Sequence, residues 1–462
     1  MKNRISRKTF LIVTVLLVAI LTASLLAACS KEPHFDLVKQ DGEYGDRVFE
    51  NMKFLAENYP DRTMCTQGEE DAAKYLCDVL SGWGYTSDFS DGDTVGLQSF
   101  KENFTRYDGS AVSDTNAYNV VFTKKARESK GEIILSAQYD NLYGEKNGEE
   151  LWKADGSYES GSGVALLLTL AESMKDVDYS YDITFAFFSG GSYGWKGAYY
   201  YVTQLKNADL DNIKLVLNFS MLGGGDNLYL YTGENASDFG GYLRSASVGL
   251  TENPKDKNAV SSIIMETDAL YSFLHVGMVG NQYYFANRKI PCANYTSHNW
   301  SCNENPFLTE MKGKANVYHT SDDTFATMVG RKGEENVKAM LNDAANSVMN
   351  ALSADNAQTL DGALETAKEQ THVAGQSNSL SSMATIAVKL IAVAAFFGIA
   401  LNVRNYIRKN RSQYIKEKVK EEVEIKPFDF DNYPVNENGK GGDSESDNDQ
   451  NDGLKDPNDP FI

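Results

Sequence analysis

Three apolar runs decide the fold: IILSA at 133–137, ITFAFF at 183–188 and LVLNF at 215–219. Each is followed by a short polar cluster, which reads QYD at 138–140, SGGS at 189–192 and SM at 220–221. Apolar runs of this length, bounded by polar and glycine residues, are typical of buried strands in a parallel sheet. Ligands bind outside the carboxyl ends of such strands, so we expect a functional site at these clusters.

A helix is predicted between the first two runs, where ESGSG at 159–163 opens an apolar stretch. Small and cap-forming residues are common at helix N-termini. Further helical patterns occupy 48–59, 68–80, 236–247 and 334–352, and strand-like runs occupy 95–104, 118–122, 228–231 and 290–295. The alternation predicts an α/β fold in which helices flank a mostly parallel central sheet.

The sequence of the N-terminus predicts an export signal. Residues 2–8 include four basic residues, residues 10–26 are nearly all apolar, and Leu-Ala-Ala precedes Cys29. Small residues followed at once by cysteine resemble the lipobox of bacterial lipoproteins, in which the cysteine is lipid-modified. An uncleaved signal anchor is the alternative.

A second long apolar stretch, 383–403, is long enough to cross a bilayer, and the basic segment after it is typical of a cytoplasmic flank. A buried core helix is the alternative.

The predicted organisation is a lipoprotein signal at 1–28, a tether at 29–44, an extracytoplasmic domain at 45–352, a linker at 353–382, a transmembrane helix at 383–403 and a cytoplasmic tail, basic and then acidic and disordered, at 404–462.

Charge and cysteine content limit the partners and the compartment. The chain has 462 residues and a net charge of -20, from 44 basic and 64 acidic residues, which argues against a nucleic-acid partner. In an exported domain, Cys65 with Cys77 and Cys292 with Cys302 are the natural disulfides, although three connectivities remain open.

Candidate site residues follow from the strand ends and from a histidine motif further along the chain. They are Gln138, Asp140, Glu159, Ser192, Ser220 and His319. A catalytic zinc needs three good protein ligands and a base that activates water. Only Glu159 and His319, with Asp140 as a third candidate, are good ligands, and no residue near Gly191 can act as the base, so these residues make a poor metal site. His319 is at least as well explained as a hydrogen-bonded structural residue.

The order and separation of these clusters over about residues 45–350 resemble the di-zinc aminopeptidase family that includes bacterial leucyl aminopeptidases, the transferrin receptor and nicastrin (metallopeptidase family twenty-eight). The resemblance implies a zinc-exopeptidase-like fold. In the family's first motif, His-x-Asp, the metal-binding histidine is replaced by Gln138 and the supporting aspartate is kept as Asp140. In the second motif, Glu159 takes the place of the aspartate that bridges both zinc ions.

Most of the remaining motifs of the family have also lost their catalytic or zinc-binding residues. Its Glu-Glu pair, a general base and a zinc ligand, corresponds to Gly191 and Ser192, and a further aspartate ligand corresponds to Ser220. The histidine of the last motif is unchanged as His319. The resemblance therefore implies that no catalytic base remains and that Glu159 and His319 are the residual metal candidates.

We predict from the sequence a peptidase-like protein that has lost hydrolysis and acts by binding. It is expected to be lipid-anchored at Cys29 in a bacterial membrane, to span that membrane once and to hold no cofactor. A peptide or a membrane protein is the expected partner. The alternative is an active zinc aminopeptidase with altered ligands.

Overall fold

The structure is a computed structural model that describes residues 34–144, 146–147, 150–151, 153–225, 227–232, 237–247, 260–261, 280–298, 317 and 319–369. The predicted signal peptide, Cys29 and the apolar stretch 383–403 lie outside these ranges. Within them, no helix is both long enough and apolar enough to cross a membrane.

The strands, in chain order, are β1 (Ser90–Asp91), β2 (Thr94–Val95), β3 (Leu97–Thr105), β4 (Ala111–Lys124), β5 (Glu132–Gln138), β6 (Lys146–Asn147), β7 (Glu150–Leu151), β8 (Asp182–Phe188), β9 (Ile213–Phe219), β10 (Asn227–Thr232), β11 (Val260–Ser261) and β12 (Cys292–His298). Among the described residues, eight of them form one sheet in the order β11-β10-β12-β9-β5-β8-β4-β3. The central strands β8, β5, β9 and β12 are parallel to their neighbours in this group.

The helices are α1 (Gly45–Asn58), α2 (Gln67–Gly82), α3 (Ser162–Met174), α4 (Lys196–Gln204), α5 (Asn207–Asn212), α6 (Ser237–Ser245), α7 (Gln282–Ala286), α8 (Phe325–Lys332), α9 (Glu334–Ala351) and α10 (357–369). A π-helical turn, Ser157–Gly161, precedes α3.

Alternation of side chains along the central strands builds a core on each face of the sheet. In β5, Ile133 and Leu135 pack in the core that contains α1, α2, α3 and α9, while Ile134 packs in the core with α4 and α7. Both faces are therefore covered, as expected for parallel strands with continuous apolar runs. The predicted α/β fold with a mostly parallel central sheet is confirmed.

The segments that the sequence assigns to a tether and a linker pack against the domain wherever the structure describes them. Residues 40–44 lie along α9 and Val38 lies beside Asn356, just after it; main-chain atoms of Val38, Gln40 and Gly42 bond to asparagine side chains. On the C-terminal side, α10 packs through the buried residues Leu360 and Leu364.

The predicted Cys65–Cys77 disulfide is wrong, because both thiols are free. Cys65 precedes α2 and Cys77 lies ten residues inside it, which separates them by about 15 Å along the helix axis. A disulfide requires Cα atoms within about 7 Å. Cys292 is also a free, buried thiol, in contact with the Ile290 carbonyl at 3.1 Å. Cys302 lies outside the described residues.

Candidate functional site

The predicted site lies at one edge of the sheet, where the carboxyl ends of β5, β8 and β9 are adjacent. Gln138 pairs with Phe188, and Ala137 pairs with Phe219, so the polar residues after each strand meet there. The π-helical turn before α3 brings Glu159 to the same edge, and Met221 N donates to the Glu159 carbonyl at 3.2 Å.

Glu159 is the centre of this site, and its side chain is nearly inaccessible to solvent. Its Oε1 accepts hydrogen bonds from Gln138 Nε2 at 3.1 Å and from Ser192 Oγ at 3.0 Å. His319 Nε2 lies 3.1 Å from the same oxygen. Four of the predicted residues are therefore brought together around one carboxylate oxygen.

Asp140 does not join that cluster but holds the neighbouring loop. Its carboxylate accepts from Gly191 N at 2.7 Å and from Ser192 N at 3.2 Å. Burial and then the charge of Glu159 raise the pKa of Asp140 to about 7, while the backbone hydrogen bonds act in the opposite direction. Asp140 thus fixes the loop whose Ser192 side chain reaches Glu159.

Gly191 stands where the family resemblance expects the general base, and the space for a side chain there is already taken. A Cβ at Gly191 would lie 2.3 Å from Gln138 Oε1 and 2.7 Å from Gln138 Cβ. Any larger residue would require Gln138 to move. The two replacements are therefore coupled: the glutamine occupies room that a residue at 191 would need.

Ser220 is separate from the Glu159 cluster. Its hydroxyl donates to Asn294 Oδ1 at 3.3 Å, and its backbone N donates to the Tyr295 carbonyl at 3.1 Å. Asn294 also accepts from Asn218 Nδ2 at 2.9 Å. The serine therefore belongs to a neutral network on β9 and β12 rather than to the carboxylate site.

Asp323 supports Glu159 through the main chain. Its carboxylate accepts from Tyr158 N at 2.7 Å and from Glu159 N at 3.1 Å. Burial, and next the charge of Glu159, raise the pKa of Asp323 well above its usual range. The motif around His319 contains this aspartate, but nothing in the sequence shows that it would position Glu159.

Arg62 was not predicted from the sequence. It is almost completely buried, and it donates to Tyr139 O at 2.7 Å, to Tyr59 O at 2.7 Å and to Ser160 Oγ at 3.0 Å. Burial lowers its pKa, which the negative charges of Asp155, Asp323 and Asp140 oppose. A single arginine in a polar stretch carries no sequence signal for such a role.

The donor set does not fit zinc. Glu159 and His319 are suitable ligands, but Gln138 and Ser192 are neutral and direct their hydrogens at Glu159. Two ligands are fewer than the three that catalytic zinc usually requires. Among the described residues, no group of three or more histidine, cysteine, aspartate and glutamate side chains could hold a metal ion.

A small cavity lies beside Glu159. It is bounded by Glu159, His319, Asp323 and Asn141 and has a volume of about 10 Å³. Tyr107, from the turn between β3 and β4, contacts two residues of the site. Its hydroxyl donates to Ser192 O at 3.2 Å, and its ring meets that of His319 edge-on, with 5.8 Å between centroids.

Comparison with curated proteins gives partial matches. Leucine aminopeptidase 2 of Trichophyton rubrum is 25% identical over 114 residues, which are 25% of this chain and 21% of that protein. The BOS complex subunit ncln of Danio rerio is 31% identical over 179 residues, 36% of this chain and 28% of that protein. The match thus spans only about a fifth of the length of the fungal aminopeptidases.

Among solved structures, a zinc aminopeptidase from Bacillus subtilis aligns with a TM-score of 0.49 and 13% identity, over 70% of this chain and 98% of that one. A glutaminyl cyclase from an Acidobacteriales bacterium aligns with a TM-score of 0.47 and 15% identity, over 71% and 100% of the two chains. In sequence, residues 119–345 match peptidase family M28, and the family resemblance predicted from the motifs is confirmed.

Proposed function

We propose that this chain is a membrane-anchored bacterial protein that uses the peptidase scaffold for binding and complex assembly and not for hydrolysis. One observation carries the proposal: Glu159 Oε1 is bonded to Gln138 and Ser192 and lies within hydrogen-bond distance of His319. Hydrogen-bond donors thus surround the carboxylate where a di-zinc site would need ligands.

Loss of the base argues in the same direction. General acid-base groups contribute typically about 10²- to 10⁴-fold to a reaction rate, and a metal that polarises carbonyl and water contributes several kcal/mol more. Gly191 supplies no base, and its neighbour Gln138 fills the space that one would need. Little hydrolysis is expected when both contributions are missing.

The charge balance supports a stable site without metal. Asp140, Glu159 and Asp323 are all buried, and buried acidic groups of like charge repel one another. Arg62 places a buried positive charge close to two of them, and the pKa values of Asp140 and Asp323 are raised, to about 7 for Asp140, which weakens their tendency to ionise. These effects reduce the repulsion that metal ions would otherwise relieve.

A relative of this chain supports a role in assembly. One of the relatives, from Danio rerio, is named as the subunit of a complex. Assembly with a membrane protein is the partner class that we propose for this chain.

The catalytic part of the proposal is tested by assaying the purified full chain with chromogenic amino-acid amides in the presence of zinc. We expect no release that depends on added zinc or stops with a chelator, and the same background for Glu159→Gln. Release that is lost both with the chelator and in Glu159→Gln would show an active metallopeptidase.

The anchoring part is tested by adding protease to intact cells. The proposal expects degradation of residues 40–350 and protection of the tail after 403. Cleavage of the tail from outside the cell would contradict a single membrane crossing with the domain outside.

A further inference from the structure

A row of asparagines on α9 binds the N-terminal segment. Asn342, Asn346 and Asn350 are four residues apart and therefore share one face of the helix, and Asn356 follows shortly after it. Their Oδ1 atoms accept from alternate backbone N–H groups: Tyr44 at 2.7 Å, Gly42 at 2.7 Å, Gln40 at 2.9 Å and Val38 at 2.9 Å, in that order.

The contacts are made in both directions at three of these positions. Asn346 Nδ2 donates to Gly42 O at 2.9 Å, Asn350 Nδ2 to Gln40 O at 3.0 Å, and Asn356 Nδ2 to Val38 O at 2.8 Å. Each carboxamide thus pairs with one residue of the extended segment as a neighbouring strand would. We call residues 38–44 together with these four asparagines the clasp.

The geometry of the clasp explains why so many pairs form. Four residues of helix rise about 6.0 Å, and two residues of extended chain span about 6.6 Å. The two repeats therefore stay nearly in register from Asn342 to Asn350. Because the asparagines bond to main-chain atoms, the clasp does not depend on the side chains of the segment, and that of Val38 is 53% exposed.

The two ends of α9 lie at opposite edges of the sheet, and the clasp occupies the part of α9 that leads to the edge away from the cleft. Near its start, α9 packs beside Gly223, just beyond the carboxyl end of β9: a Cβ there would lie 3.2 Å from Val337. Just after its end, Leu352 lines a small cavity with Ile133 and Ile183, near the starts of β5 and β8. The extended segment is antiparallel to α9, so its first residues lie at the edge away from the cleft.

The other end of the described chain lies at the same edge. Asp361, on α10, accepts from Lys130 Nζ at 2.6 Å and from Tyr181 OH at 2.7 Å. Lys130 lies two residues before the start of β5, and Tyr181 directly precedes β8. The chain therefore enters and leaves the described domain at the edge where the parallel strands begin.

We propose that the clasp sets the orientation of the domain at a lipid surface, with the starts of β5, β8 and β9 facing the lipid and the cleft facing away. This inference rests on the proposed lipidation of Cys29. Four residues lie between Cys29 and His34, and the five steps from one to the other reach at most about 18 Å. A free tether from 29 to 45 would reach about 55 Å and would permit any orientation.

The length of the strands places the cleft well above the membrane. A strand of seven residues spans about 23 Å, and the cleft lies beyond the ends of three such strands. The clasp thus shortens the tether between Cys29 and the domain, and the edge of the sheet that carries the cleft stays exposed to the medium. A partner that contacts this edge would be an extracytoplasmic protein or domain.

The orientation is tested with the full chain in lipid vesicles that carry a quencher in their headgroups. A fluorophore is attached at Arg127→Cys, which is 87% exposed beside the start of the sheet, or at Asp108→Cys, in the turn next to Tyr107. The unsubstituted chain gives the background from native thiols. We expect stronger quenching at position 127 than at 108, and equal or reversed quenching would overturn the proposed orientation.

Failure of the proposed lipidation gives a different result, because mass spectrometry of the N-terminal peptide would then show an unmodified Cys29, and the orientation would fall with it. The clasp is tested in the same assay by Asn346→Leu with Asn350→Leu, which should abolish the difference in quenching. Asn336→Leu, an exposed position on the same helix, should retain it. If the double variant does not fold, Asn356→Leu replaces it; an unchanged difference in either variant would show that the clasp does not set the orientation.

Discussion

The cleft and the clasp are both networks of polar side chains, but they are built in opposite ways. In the cleft, Gln138, Ser192 and His319 converge on one buried carboxylate oxygen of Glu159. In the clasp, the asparagines bond to different backbone groups of the segment, and a charged group enters only at the edge, where Asn346 Nδ2 lies 3.4 Å from the Asp41 carboxylate. Bonds that share one acceptor should be coupled in energy, whereas separate neutral pairs should contribute independently.

Removal of the buried cation should have the largest effect. Arg62→Met leaves the carbonyls of Tyr59 and Tyr139 without their donor and removes the positive charge beside Asp140 and Asp323. We expect the free energy of unfolding to fall by about 3–5 kcal/mol, measured by urea denaturation of the full chain. Arg127→Met, at an exposed ion pair, serves as the control and should change it by less than about 1 kcal/mol. A similar loss in both variants would contradict the role given to Arg62.

The pH dependence of stability should be next in size. Glu69 lies behind the cleft, where it accepts from Ser189 Oγ, and burial raises its pKa to about 8. A carboxyl group whose pKa is raised by folding stabilises the protein below its unfolded pKa, and this contribution is lost as the pH rises towards the folded value. Stability should therefore decrease between pH 5 and pH 8, by up to about 3 kcal/mol from Glu69 alone.

Glu69→Gln is the matched variant, because it keeps the shape of the side chain and cannot ionise. Its unfolding free energy should depend less steeply on pH than that of the unchanged protein over the same range. A pH profile identical to that of the unchanged protein would mean that Glu69 is ionised in the folded state throughout.

In the clasp, single substitutions should have moderate effects that add. Asn342→Leu and Asn350→Leu each remove hydrogen bonds to the main chain and should cost about 1–2 kcal/mol. The two positions are about 12 Å apart on α9, so the double variant should equal their sum within about 0.5 kcal/mol. Asn336→Leu is the control. A clear departure from additivity would mean that the segment binds or leaves as one unit.

The corresponding cycle in the cleft should not be additive, and its coupling is the smallest effect expected. Gln138→Leu and Ser192→Ala each remove a donor to Glu159 Oε1. Because both donors bond to the same oxygen, the loss of one changes the strength of the hydrogen bond that the other makes. We expect a coupling energy of about 1 kcal/mol between them. A value near zero would remove the contrast between the two networks.

The fold and the composition of the site were accessible from sequence because both depend on local patterns. The runs that end at Ala137, Phe188 and Phe219 predicted adjacent strands, and their polar ends predicted where Gln138 and Ser192 would meet. That Ser220 would bond to Asn294 instead was not predictable, since Asn294 lies 74 residues further on and carries no motif.

Other features were missed for physical reasons that can be named. The pairing of Cys65 with Cys77 relied on closeness in sequence, but α2 carries the second cysteine away from the first. The clasp produces no apolar pattern in the sequence. Asparagines spaced by four cannot be told apart from an ordinary polar, solvent-exposed helix face. The close approach of Gly191 to Gln138 depends on the packing of two strand ends and has no signature in either segment.

The zinc content of the purified full chain tests the central claim most directly. The protein is incubated with excess zinc, dialysed, and analysed for metal beside the variant Glu159→Ala. The account predicts far less than one zinc ion per chain and no difference between the two proteins. One or two zinc ions per chain, lost in Glu159→Ala, would contradict it. That result would show that the cleft is a zinc site of the metallopeptidase kind.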